Sequence, residues 1–169
     1  DFFPMRTNLN YVSIGIESTA SYSQLRLAEG EYPEWVTDRY LQLPDSFPQR
    51  VRQLAEDLTA ELDNPLDKIE ALRDHVISLP YNLDINAPPE GVDGVEYFLF
   101  GIRQGYCDYY ASSLAVMARS LGIPARYVLG YASGQFDPGS NSYRVLELNY
   151  HSWVEVYFPE YGWVPFEAT

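Results

Sequence analysis

The sequence has 169 residues, a length typical of one domain with a single hydrophobic core. Hydrophobic residues make up 46% of it and aromatic residues 15%, so the chain can bury a substantial core and is not predicted to be disordered. The net charge of −13 and the lack of any Lys/Arg cluster argue against nucleic-acid binding, which needs a basic surface. The single cysteine, Cys107, excludes an internal disulfide bond.

The two ends of the sequence suggest a larger parent protein. The chain begins with Asp1 rather than Met and stops abruptly at Thr169. It contains no signal peptide and no apolar run near the roughly 18 residues that span a bilayer. We expect a single domain over 1–169, excised from a longer protein whose localisation signals lie elsewhere.

Residues 1–40 have weak periodicity and are predicted to form an irregular N-terminal arm. Residues 41–79 are predicted to form a helical hairpin, because apolar residues recur at helical spacing over 48–62 and again over 65–79. Between these stretches Asn64 suits an N-cap, and Pro65 suits a first helical position.

A long loop and a third helix open the second half, over 80–169. Prolines and glycines are frequent over 80–105, which predicts a loop, and long loops in compact domains are often functional. The next helix is predicted from Cys107 to Leu121, where Gly122 ends it as a C′ glycine.

After this helix the apolar pattern changes to a period of two, which is typical of strands. The predicted strands are 126–131, 143–148, 152–158 and 163–166, with a hairpin turn at 159–162 between the last two. Helices first and strands after them predict an α+β fold, with the helices packed on an antiparallel sheet.

Cys107 is a candidate nucleophile because of where it stands. It opens the third helix after Gly105, and a helix N-terminus offers unpaired N–H groups and partial positive charge. Both favour a thiolate, and the same N–H groups could hold an oxyanion. Asp108 opposes the thiolate slightly, because it places a negative charge beside it. A buried structural cysteine is the alternative interpretation of this residue.

His151, at the start of a predicted strand, is the candidate base for this thiol, since a helix packed on a sheet can bring the two together. The other histidine, His75, lies within the second helix pattern and is predicted to be structural. A carboxylate should orient the imidazole. Glu155 shares a face with His151 but lies roughly 13 Å along the strand, too far for a hydrogen bond. Glu167 ends the following strand, whose antiparallel return brings it beside His151, so Glu167 is the better orienter.

Four segments together resemble the transglutaminase-like superfamily in letters, order and spacing. They are GYCDYYA (105–111), LGIPAR (121–126), HSWVEVY (151–157) and GWVPFEAT (162–169). The strong resemblance covers residues 80–169, and the preceding helices resemble the N-terminal part of bacterial members. Residues 98–100 (FLF) resemble a subgroup in which such a domain lies outside the cytoplasmic membrane, between transmembrane parts of a large protein.

The resemblance implies a papain-like α+β fold with a Cys-His-Asp triad and a catalytic core over 80–169. Cys107 matches the nucleophile and His151 the base, whereas Glu167 stands where the family has aspartate and Ala168 where proline is common. The backbone N–H of Cys107 is the expected oxyanion donor, and Tyr81 is a candidate second donor because family members place an aromatic donor upstream of the cysteine.

The function implied is thiol-dependent amide acyl transfer or hydrolysis through a cysteine thioester. The expected substrate is a protein or peptide carrying a carboxamide, and the acceptor is water or an amine. No metal or other cofactor is expected, because no residues have ligand spacing. The resemblance also implies an extracytoplasmic location, periplasmic or cell-surface, in a membrane-anchored parent. The alternative is a weakly active or inactive module that serves as a binding domain.

Overall fold

The computed structural model describes residues 10–169 and confirms the α+β class. Residues 1–9 of the predicted arm lie outside the described residues. Within the described chain the α-helices are α1 (Tyr22–Arg26), α2 (Glu34–Tyr40), α3 (Gln49–Leu58), α4 (Pro65–Ile77), α5 (Gly94–Glu96) and α6 (Cys107–Ser120). The strands are β1 (Ala125–Tyr131), β2 (Gln135–Asp137), β3 (Ser142–Arg144), β4 (Tyr150–Phe158) and β5 (Gly162–Phe166). None of the described helices combines the length and apolarity needed to cross a bilayer.

The N-terminal segment is more regular than predicted, since it contains α1 and α2. A reciprocal capping box starts α1: Ser21 Oγ accepts from the Gln24 N–H, and Gln24 Oε1 accepts from the Ser21 N–H at 2.8 Å. Pro33 is the N-cap of α2. These helices have only 5 and 7 residues, too few turns for a periodic pattern to reveal them.

The predicted helical hairpin corresponds to α3 and α4. Asn64 caps α4 by accepting from the Leu66 N–H at 2.8 Å, and Pro65 occupies the first helical position, as predicted. Helix α3 ends at Leu58, four residues before the predicted end at residue 62. The core face of α4 is fully buried and consists of Leu66, Ile69, Leu72 and Val76.

The segment 80–105, predicted as a loop, contains two helical turns. Asp93 caps α5 with Oδ1 accepting from two backbone N–H groups at 2.9 Å. A π-helical turn, Tyr97–Ile102, follows and buries Phe98 and Leu99 completely. Glycines at both ends of this stretch hide its apolar pattern, so the prediction of an uninterrupted loop is wrong here.

Strands β1, β4 and β5 form an antiparallel sheet in the order β1-β4-β5, while β2 and β3 pair separately. The predicted strand 143–148 corresponds to the shorter β3, which ends at Arg144, and residues 147–149 form a 3₁₀ turn. Alternate residues of β4 are buried on the inner face, against α6. Three small buried side chains let this helix approach the sheet closely: Ala111, Ala115 and Ala118. Gly122, with φ of +76°, ends the helix segment as predicted.

Part of the outer face of the sheet is covered by α2 through aromatic contacts. The rings of Trp35 and Tyr157 are 6.0 Å apart, and those of Tyr40 and Trp163 are 4.6 Å apart. Such edge-to-face pairs add to the stabilisation from apolar burial. They lie toward the end of β4 that is remote from His151, so α2 leaves the His151 end of the sheet open.

Candidate active site

Cys107 is the first residue of α6, and 6% of its surface is exposed. Its N-cap residue, Tyr106, is extended and provides no side-chain cap. The helix N-terminus therefore favours an anion at this position through its free N–H groups and its dipole. A Cβ at Gly105 would lie 3.1 Å from side-chain atoms of Phe98 and Tyr109, so the approach to Cys107 has no room for a side chain.

Tyr81 lies beside Cys107 because its backbone is fixed to the same segment. The Asn82 N–H donates to the Gly105 carbonyl at 2.7 Å, and the Gly105 N–H donates to the Pro80 carbonyl at 3.2 Å. Burial raises the pKa of Tyr81, a thiolate at Cys107 raises it further, and the Cys107 backbone N–H opposes the rise. The two predicted oxyanion donors, the Tyr81 hydroxyl and the Cys107 N–H, are thus neighbours.

His151 and Glu167 are in direct contact across two neighbouring strands. His151 Nε2 and Glu167 Oε2 are 2.7 Å apart. Val154 pairs with Phe166 in the ladder, so the antiparallel return carries Glu167 back along β4 toward His151. The imidazole also stacks on Trp153, with 6.4 Å between ring centroids and 25° between planes. When Nε2 carries the proton and donates to Glu167, Nδ1 of the neutral ring is left as an acceptor.

A cavity of about 1110 Å³ borders this His-Glu pair on the outer face of the sheet. Its walls include Trp153, Trp163 and the segment 16–20. The volume is slightly above the roughly 300–1,000 Å³ of small-molecule clefts, so a substrate chain could reach the imidazole from this side.

The residues that flank His151 on β4, Tyr150 and Ser152, face the side of the sheet on which α6 and Cys107 lie, whereas the His151 side chain lies on the outer face. Partial desolvation raises the pKa of Tyr150, and the charges of Asp108 and Cys107 add to the rise. Ser152, the residue after His151, is fully buried on the face of β4 that packs on α6. Within residues 10–169, Cys107 Sγ has a hydrogen-bond contact with Asp108 Oδ1 at 3.8 Å and none with His151. Catalytic hydrogen bonds are often long or poorly aligned before substrate binds.

A family model described as the transglutaminase-like superfamily matches residues 52–168. The chain belongs to this superfamily. It is 48% identical to the Bacillus subtilis protein YebA over 140 residues, covering 79% of this chain and 19% of YebA. It is 38% identical over 131 residues to a Pseudomonas aeruginosa protein-glutamine gamma-glutamyltransferase, covering 78% of this chain and 20% of that enzyme. The chain thus spans about a fifth of these relatives.

Solved structures agree with this family membership. The periplasmic domain of TgpA from Pseudomonas aeruginosa superposes with a TM-score of 0.71 and 36% identity, over 81% of this chain and 48% of that one. A Cytophaga hutchinsonii protein superposes with a TM-score of 0.58 and 22% identity, over 82% of this chain and 43% of that one. At this identity it supports the fold alone.

The other polar residues considered as candidates in this transglutaminase-like chain do not contact Cys107 or His151 among residues 10–169. Glu155 accepts from Arg126 Nε at 2.6 Å, so it belongs to an ion pair on the sheet. Burial lowers the pKa of His75, with a smaller effect from the Arg103 charge, and its Nε2 is buried without a partner among the described residues. Over the same residues, no cluster of His, Cys, Asp and Glu could hold a metal ion.

One contact beside Cys107 was not predicted from the sequence. The Tyr127 hydroxyl donates to Asp108 Oδ1 at 2.8 Å. Burial raises the pKa of Tyr127, and this hydrogen bond adds to the effect. Asp108 was noticed only as a charge next to Cys107, and the position of Tyr127 depends on the pairing of β1 with β4, which the sequence pattern does not reveal.

Proposed function

We propose that this chain catalyses thiol-dependent acyl transfer or hydrolysis at a carboxamide of a protein or peptide. Cys107 acts as nucleophile, His151 as its base and Glu167 as the orienter of the imidazole. The observation that carries the proposal is the 2.7 Å contact between His151 Nε2 and Glu167 Oε2, which orients an imidazole on the outer face of β4, the strand whose inner face packs against the helix of Cys107. It leaves Nδ1 free to accept the thiol proton.

In the first half-reaction, the Cys107 sulfur attacks the carboxamide carbon while His151 takes the thiol proton. The resulting oxyanion accepts hydrogen bonds from the Cys107 N–H and the Tyr81 hydroxyl. His151 then returns the proton to the leaving nitrogen, the C–N bond breaks, and a thioester on Cys107 remains. In the second half-reaction, water or a primary amine attacks the thioester and the C–S bond breaks.

The relatives support this reaction class and a location outside the cytoplasm. One relative is named a protein-glutamine gamma-glutamyltransferase, and a similar solved structure is a periplasmic domain. We propose that the present chain is likewise an extracytoplasmic domain of a membrane-anchored parent.

The test is to incubate the chain with a glutamine-bearing protein and a labelled primary amine. Incorporated label identifies transfer, ammonia without label identifies side-chain hydrolysis, and shorter fragments identify peptide cleavage. Each product should vanish in Cys107→Ser, which keeps the size of the side chain. Products formed at the parent rate by Cys107→Ser would refute the proposal.

A second candidate is a weakly active or inactive binding module. It is favoured by the lack of a hydrogen bond between Cys107 and His151 over residues 10–169, and by glutamate at the family's aspartate position. Limiting iodoacetamide across pH separates the two functions, because Cys107 is the only cysteine and alkylation reports it alone. Rapid alkylation at neutral pH supports the enzyme, whereas alkylation like that of a free cysteine, with a pKa of about 8.5, supports the module.

A further inference from the structure

Asp108 is a part-buried carboxylate without a cationic partner in the described chain. It is the second residue of α6, and its Oδ1 lies 3.8 Å from Cys107 Sγ. Oδ1 also accepts from the Tyr127 hydroxyl at 2.8 Å. Over residues 10–169, no Lys, Arg or His forms an ion pair with Asp108, and no hydrogen bond reaches Oδ2. Each carboxylate oxygen can accept more than one hydrogen bond, so this carboxylate has free acceptor capacity for a cation.

Partly exposed tyrosines lie in this part of the site, and the Tyr127 hydroxyl is the one in contact with Asp108. Tyr81, Tyr127 and Tyr150 are 54%, 38% and 45% exposed, so the group is open to solvent. Burial or partial desolvation raises the pKa of each, and the Asp108 charge adds to the rise in all three. A carboxylate with a free oxygen next to the nucleophile suits an alkylammonium ion, which gains a charge-assisted hydrogen bond there.

We propose that Asp108 is a specificity-determining residue that binds the protonated primary amine of the acyl acceptor beside the Cys107 thioester. The acceptor class is an alkylammonium, such as a lysine side chain or a diamine. Water carries no charge and gains only an ordinary hydrogen bond from this carboxylate, weaker than that of an ammonium ion, so Asp108 favours amine transfer over hydrolysis. This inference rests on the proposed function for its chemistry, although the binding of an ammonium ion can be measured without turnover.

The transfer step balances in atoms and charge. The bound ammonium first releases one proton to solvent and becomes a free amine next to the thioester. Its nitrogen attacks the thioester carbon, forming the C–N bond, and the C–S bond breaks. The second nitrogen proton passes to His151 and then to the departing Cys107 sulfur, which restores the thiol.

The first experiment compares two acceptors that compete for one acyl-enzyme. The chain is incubated at neutral pH with a glutamine peptide and equal concentrations of n-butylamine, which is cationic, and hydroxylamine, which is mostly neutral. The ratio of butylamide to hydroxamate should fall about tenfold in Asp108→Asn, the effect of losing one charge-assisted hydrogen bond. Because both products come from the same thioester, any effect on acylation cancels in the ratio. Asp108→Glu should retain most of the ratio.

The control is Glu61→Gln, which changes the net charge equally at an exposed residue in the turn after α3. An unchanged ratio in Asp108→Asn, or an equal fall in Glu61→Gln, would overturn the inference. The second experiment needs no activity: butylammonium should slow iodoacetamide alkylation of Cys107 more than butanol does, and Asp108→Asn should remove the difference. If butylammonium and butanol slow the alkylation of Cys107 equally in the parent, the inference of ammonium binding is overturned. If butylammonium slows alkylation more than butanol does but the chain forms no acyl product, only the proposed function is refuted.

Discussion

Replacing Glu167 by glutamine keeps the size of the side chain but removes its charge. In the parent, Oε2 lies 2.7 Å from His151 Nε2, the distance of a charge-assisted hydrogen bond. Such bonds contribute about 1.5–3 kcal/mol, but Glu167 is 64% exposed, so solvent screening favours the lower end of that range. We therefore expect kcat/KM to fall roughly tenfold, since 1.4 kcal/mol corresponds to a factor of 10.

The matched variant is Glu167→Asp, which keeps the charge and shortens the side chain by one methylene. Because the negative charge stays near the imidazole, we expect a loss of only about two- to threefold, near the value of an exposed ion pair. The assay is ammonia release from a glutamine peptide for all three proteins, together with the pH profile of iodoacetamide alkylation of Cys107. If glutamine at position 167 behaves like the parent in both, Glu167 is not the orienter and another polar group fills that role.

Three further predictions concern the Cys107 side of the site. Cys107→Ala should abolish amide chemistry, measured by product analysis, while shifting the free energy of unfolding by only about 1 kcal/mol, measured by thermal melting. Activity equal to the parent would refute the role of Cys107 as nucleophile. Tyr81→Phe should lower kcat about a hundredfold with little change in KM, the typical effect of losing an oxyanion donor, and an unchanged kcat would leave Tyr81 a packing role. Gly105→Ala should destabilise the fold by about 1–3 kcal/mol, because its Cβ would lie 3.1 Å from Phe98 and Tyr109; an unchanged melting temperature would contradict the close packing there.

The parts of the fold with strong local signals could be predicted from the sequence. Asn64 and Pro65 mark the start of α4, Gly122 marks the end of α6, and alternation over β4 gives the central strand. Each signal rests on a property of one or two residues, such as a side-chain acceptor, a fixed φ or freedom to adopt positive φ. Short helices such as α1 and α5 lack the length for a periodic pattern, which explains why they were missed.

The candidate site likewise has residues that could be predicted from the sequence and contacts that could not. Cys107 and His151 could be selected because their residue types and positions in helix and strand carry chemical meaning by themselves. The contact of Tyr127 with Asp108 could not, because it depends on the register in which Tyr127 faces Val154 and on how far α6 reaches under the sheet. Register and helix placement arise from tertiary packing, and a single sequence gives little information about either.

The register also explains how the side chain of Glu167 reaches His151. The last ladder pair between β4 and β5 is Val154 with Phe166, so continuing the ladder by one residue sets Glu167 opposite Trp153. His151 is then a diagonal neighbour, and diagonal residues on one face are roughly 7–8 Å apart, farther than directly opposed ones. Because Phe166 and Ala168 are both buried, the backbone at Glu167 is held from both sides and cannot move far toward His151. The extra methylene of glutamate spans part of this diagonal, which is how the longer side chain reaches the imidazole at hydrogen-bonding distance.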